Sequence, residues 1–287
     1  MAATLAHTKQ WIAGLRAASK RYELVLRATL LMFAWFCLTT PAGLAIKVCS
    51  LIAFVWPHAV TNRYVWTGIS GLFAWYIGGD RFLHDNHMYL YMWWAFACTG
   101  SLWLAVPKDR AEFLRRNSQA LIGLAFGFAT FWKLWGGQYI DGGFLTFYIR
   151  TNRDTTSLLN SLGILPNEVV DQNMKALSAL ILDPGIRQCV VAGTPAADLL
   201  AKLVAWWTIL IEFAVAASFL IRLPLRNYVM AIFVVSTYFF LPIYGFCCCL
   251  IVMTYAQLEG KAQRWQMVVL GLFLAMVMRW LLVPGLQ

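Results

Sequence analysis

Apolar runs of membrane-spanning length follow one another along most of this chain, and that succession limits its fold more than any other feature. A helical span needs about 20 apolar residues. Candidates lie at 24–40, 43–56, 64–78, 88–106, 119–135, 200–221, 228–255 and 265–283. Hydrophobic residues make up 61% of the chain and charged ones 13%, against about half and a quarter in globular domains. The expected fold is therefore an all-α, polytopic membrane bundle of seven to nine spans. Two points stay open. Pro41-Ala42-Gly43 makes either a tight hairpin or the bend of one long helix, and Pro242 makes 228–255 either a kinked helix or two half-spans.

Charge then orients the chain. The first 23 residues are polar and basic and carry no cleavable signal pattern. Residues 7–22 could form a surface helix with Trp11, Ile12 and Leu15 on one side and Lys9, Arg16, Lys20 and Arg21 on the other. Lys108, Arg110, Arg115 and Arg116, then Arg222 and Arg226, mark cytoplasmic turns by the positive-inside rule. The expected organisation is a cytoplasmic basic segment (1–23), a first membrane group (24–135), an external region (136–199) and a second membrane group (200–287). A region of about sixty residues is too long for an idle connector, and 136–199 is expected to cap the bundle. Asn167, Glu168 and Asp171 begin a helix there, and Asp183-Pro184-Gly185 ends it. The formal net charge of +10 does not mark a nucleic-acid binder, because the cations sit at span ends without a basic aromatic stripe. Anionic lipid headgroups are the expected partners. The seven cysteines lie mostly in apolar runs, where they act as small hydrophobes, so no disulfide framework is expected.

Against this background a few polar side chains stand out. Lys133 lies near the outer end of the 119–135 run, at a depth where an ammonium costs about 3 kcal/mol. It either snorkels to the headgroups or serves in a protein-lined site. If Phe131, Trp132 and Trp135 walled it off, desolvation would favour a neutral amine able to remove a proton. Asp141, beyond the glycines at 136 and 137, could instead hold it as a structural ion pair. Glu212 is a carboxylate amid apolar neighbours and needs a partner; Lys133, Lys202 or a tyrosine hydroxyl would serve. His87 falls in the first turn of the fourth span, after His84-Asp85-Asn86, where the helix dipole favours a neutral hydrogen-bond donor. A metal held by His84 and His87 lacks further ligands nearby.

Two stretches carry a resemblance. Asn86-His87-Met88-Tyr89-Leu90 and Trp132-Lys133-Leu134 with Tyr139-Ile140-Asp141-Gly142 resemble elements of the vitamin K-dependent gamma-carboxylase membrane domain and its bacterial relatives, the horizontally transferred transmembrane (HTTM) proteins. Glu212 followed by Arg222-Leu223-Pro224-Leu225-Arg226 is similar to that family's late spans. The resemblance implies a quinol (vitamin K-like) site at the outer leaflet. In it Lys133 would be the base, His87 an electrophilic donor and Glu212 an orienting acid, with His84, Asn86, Trp132, Trp135 and Tyr139 around the cofactor. The chain departs from the family in two ways. No counterpart of the large lumenal carboxylase domain is expected, and Thr237-Tyr238 stands where relatives carry a polar or His-bearing element, so glutamyl carboxylation is not expected. Two other readings remain. One is a non-catalytic transmembrane subunit that meets protein partners in a larger complex; the other is a quinone-linked redox subunit similar to the DoxX group.

Overall fold

The computed structural model describes residues 20–37, 40–79, 86–152, 159–183, 185–238 and 243–258, with 268 and 271. All regular structure among them is helical. The helices are α1 (20–36), α2 (Pro41–Val55), α3 (Pro57–Val60), α4 (Arg63–Gly79), α5 (Asn86–Trp103), α6 (Pro107–Trp135), α7 (Gly143–Thr151), α8 (Asn167–Leu182), α9 (Pro195–Leu220), α10 (Arg226–Tyr238) and α11 (Tyr244–Ala256). The run at 265–283, most of the basic segment, and Pro242 lie outside the described residues.

Most expected spans coincide with a helix, and the differences have local causes. Residues 107–118, read as a loop from their charges, form the first turns of α6. Glu112 there accepts hydrogen bonds from Arg115 (2.7 Å to each oxygen) and Arg116 (2.5 Å), the i+3 and i+4 pairing that supports an exposed helix. Thr40 and Thr194 each cap a helix that opens on proline, accepting from Gly43 and Ala197 at 3.2 Å. The long run at 228–255 is two helices, α10 and α11. Among the described residues α9 is the one helix both long and apolar enough to cross a membrane. Helices α2 and α11 are apolar but shorter, at 15 and 13 residues.

The arginine hydrogen bonds on Glu112, Arg115's foremost, outweigh partial burial and hold its carboxyl at about 2 instead of 4.5. A depressed folded-state pKa stabilises the first turns of α6 at every pH above the ordinary carboxylate range. That support is lost as pH falls through about 2. The Glu112 carboxyl resonance, followed by NMR, is expected to titrate near the lower value, and to return toward the ordinary range in Arg115→Gln.

The chain divides into two compact units. In the first (Met1–Gly123 and Ile243–Gly285), α4 packs along α5 and against α2. Phe33, Trp66, Phe73, Tyr91 and Trp94 are fully buried, with Phe33 and Phe73 edge-to-face at 4.7 Å. Each buried indole is satisfied: Trp66 donates to the Val60 carbonyl (2.8 Å) and Trp94 to the Thr29 hydroxyl (3.0 Å). Ser70 and Thr99 are hydrogen-bonded between α4 and α5 at 2.8 Å, a polar link of the kind that joins apolar helices. Gly245 brings α11 against α1 and α5, because the place of its missing Cβ is filled by Phe36 and the Tyr91 hydroxyl. Cys247, Cys248 and Cys249 are all buried behind it.

The second unit, Leu124–Pro242, contains the region read as a cap. Helix α8 runs where its terminal residues place it, ending at Asp183. Leu145, Ile149, Leu159, Leu165 and Val170 form a core against Ala197, Ala201 and Ala205 of α9. Those alanines recur every fourth residue, and their small side chains let α7 lie close to α9. The segment leading into α9 is tied down by side chains. Asn173, buried, donates to the carbonyls of Arg150 (2.8 Å) and Ala192 (2.9 Å) and accepts from the Ala192 amide (2.9 Å). Arg150 also reaches the Val191 carbonyl at 2.8 Å and Asp198 at 2.5 Å.

Candidate functional site

Lys133 stands in the last turn of α6, where the negative end of the helix dipole suits a cation. The chain then turns away from the helix through Gly137 at φ +70°, a left-handed conformation that glycine adopts without strain. A second left-handed glycine, Gly142 (φ +80°), starts α7. A Cβ there would stand 2.8 Å from Lys202 Cγ, so the turn is pressed onto α9. This return carries Tyr139 back over the end of α6.

The result is a polar cluster within the second unit. The Lys133 ammonium donates to both oxygens of Glu212, at 2.7 Å and 2.5 Å. Both side chains are largely enclosed, with exposures of 14% and 9%. The same ammonium lies 5.0 Å from the centre of the Tyr139 ring, a cation–π distance, and Tyr139 stacks in turn on Phe144 at 4.8 Å. Burial, then the Glu212 charge, pushes the Tyr139 phenol up to about 12, so it remains a protonated donor at neutral pH. Charge, donor and acceptor are thus gathered in one place between α6, α9 and the turn at 136–142.

Each sequence-expected residue can now be located. Lys133, Glu212 and Tyr139 come together. Asp141, the rival partner for Lys133, instead accepts from the Gly143 amide at 2.8 Å and stabilises the turn. Trp132 and Trp135 are 62% and 75% exposed, so they do not wall in the amine; Trp135 stacks on Phe131 at 5.7 Å. His87 belongs to the first unit, its ring against Tyr91 at 5.7 Å and Phe246 at 6.5 Å. Asn86 begins α5. His84 lies outside the described residues. Phe144 was missed from sequence; its place one residue after a paired glycine was the available sign.

Compared with protein families, curated proteins and solved structures, the chain matches none of them.

Proposed function

We propose that the chain is a multi-pass membrane protein of the HTTM-like bundle type, with seven to nine spans. In this reading Lys133, Glu212 and Tyr139 receive the oxygen-bearing head of a lipid-soluble compound of the quinol class, near the outer leaflet. Embedding is supported by which faces are exposed. Leu199, Leu203, Trp206, Leu210 and Phe213 form an exposed apolar stripe along α9, while Glu212 is turned inward. Leu124, Phe128, Phe131 and Trp135 repeat that pattern on α6, as do Leu44, Val48, Leu51 and Val55 on α2. A helix in water shows the reverse polarity, and apolar surface of this extent marks a lipid or protein contact.

The single observation that carries the site is an enclosed ammonium–carboxylate pair beside a protonated phenol, on helices whose outer faces are apolar. A charged pair at such depth is retained mainly for function or for pairing helices. In the quinol reading, ligand entry opens the pair and the Lys133 proton passes to Glu212. The neutral amine then takes the proton of the quinol hydroxyl, leaving a quinolate beside the reformed ammonium. Tyr139 donates to the ligand oxygen, and Trp132 and Trp135 flank the approach from lipid. Lys133 is the base in this scheme and Glu212 the acid that holds and releases it.

A non-catalytic subunit is the second reading, favoured by the closure of the pair over both carboxylate oxygens. Mass spectrometry of the gently solubilised protein separates the two. A quinone retained near one per chain, and lost in the Lys133→Met/Glu212→Leu double variant, supports the site. Absence of quinone from the native chain, with partner proteins retained in fixed ratio, overturns it in favour of the subunit. A quinone-linked redox subunit would retain both.

A further inference from the structure

A second feature lies wholly in the first unit and has no part in the quinol reading. Helices α2 and α4 leave between them a groove of about 690 Å³, within the range of small-molecule sites. One wall is Ile52 and Trp56; the other is the stripe Tyr64, Gly68 and Leu72, spaced four residues apart on α4. The eight steps from residue 64 to residue 72 rise about 12 Å, most of the roughly 15 Å depth of one leaflet. Gly68 keeps the wall open, for a Cβ there would meet nothing within 4 Å.

A cation stands next to the groove's lining, on Arg63, the residue before Tyr64. The Arg63 guanidinium lies 4.5 Å from the Trp103 ring centre and 5.0 Å from that of Tyr64, and donates to the Tyr64 hydroxyl at 3.1 Å. Trp103 is steadied by its own hydrogen bond to Thr67 (3.2 Å). Among the described residues no carboxylate pairs with Arg63. One of its five N–H groups is committed to Tyr64, which leaves donors for a phosphate. The amides at the start of α4 are already capped by Asn62 (2.9 and 3.4 Å), so the charge that recognises an anion is Arg63. Trp56, Tyr64 and Trp103 are the residue types found at headgroup depth.

We infer that the groove seats an acyl chain of an anionic phospholipid whose phosphate is held by Arg63. Charge complementarity selects this occupant: an apolar trough one leaflet deep ends at an arginine without a carboxylate. The inference rests on membrane embedding but not on the Lys133 site.

The test is native mass spectrometry of the full chain in non-ionic detergent, titrated with phosphatidylglycerol or phosphatidylcholine. One phosphatidylglycerol is expected to bind more tightly than phosphatidylcholine. Gly68→Leu, whose Cβ meets no neighbour within 4 Å and whose side chain projects into the trough, should abolish that binding. Arg63→Gln should weaken phosphatidylglycerol about fivefold, the effect of one cation near a headgroup, and bring the two lipids level. Equal binding of both lipids to the native chain overturns the inference, as does unchanged binding in Gly68→Leu. If Gly68→Leu instead dissolves a dimer of this chain with its lipid count unaltered, the groove is a contact between copies and the inference also fails. Quinone retention is read separately, so failure here leaves that result standing.

Discussion

Glu212→Leu alone is expected to destabilise the protein by about 3–5 kcal/mol, and Lys133→Met added to it to recover most of that loss. The reason is the enclosure of the pair. An ammonium and a carboxylate removed from water largely offset each other's desolvation, and deleting one partner strands the other. Replacing both with apolar residues of similar size removes the desolvation cost together with the attraction, which is often close to neutral. Lys133→Met alone should be damaging in the same way. Thermal unfolding of the purified chain in detergent, run as a double-mutant cycle, measures the coupling. Additive losses in the cycle would mean that the two side chains do not depend on each other. The cycle also matters for the functional test, since only the double variant removes the site while keeping the fold.

Asn173→Ala should loosen the packing of α7 and α8 by about 1–3 kcal/mol. Asn173 is nearly inaccessible and spends two donors and one acceptor on the backbone at Arg150 and Ala192. Its loss removes the side-chain partner of the Arg150 carbonyl and of the Ala192 carbonyl and amide, at about 1–3 kcal/mol for a group that water cannot reach, and Ala192 itself is exposed. Asn173→Asp keeps the shape but replaces the amide donors with a carboxylate facing two carbonyls, and should be no better. Hydrogen exchange should report the change at the Ala192 amide and through α8 first. Amides in the middle of α9, beyond the cap core, should keep their protection.

Much of the helical layout was legible because membrane-length apolar runs and their breaks are written locally. Asp183 ended its helix as expected, whereas Pro242, which left 228–255 open between a kinked helix and two half-spans, lies outside the described residues. The charged stretch at 107–118 misled because charge reads as loop, although the i+3 and i+4 placement of Arg115 and Arg116 after Glu112 is itself a helical signature. The candidate site was half legible. Lys133 and Glu212 were each conspicuous as charges in apolar runs, but they lie 79 residues apart, and no local pattern joins them. The sequence offered Asp141 as an equal partner for the lysine. What decides against it is the turn, whose Gly143 amide takes the aspartate. Cap residues such as Leu145, Leu159 and Leu165 were not legible as a core, because each belongs to a piece too short to show a clear period.

The row of alanines on α9 has one further consequence. Ala205 meets the cap core and Glu212 lies seven residues on, about two turns or 10 Å along the same uninterrupted helix. Cap and carboxylate are therefore mounted on a single shaft. Any rotation of α9 about its own axis at the alanine row would swing the Glu212 carboxylate through the same angle, so the packing of α7 on α9 is geared directly to the pair with Lys133.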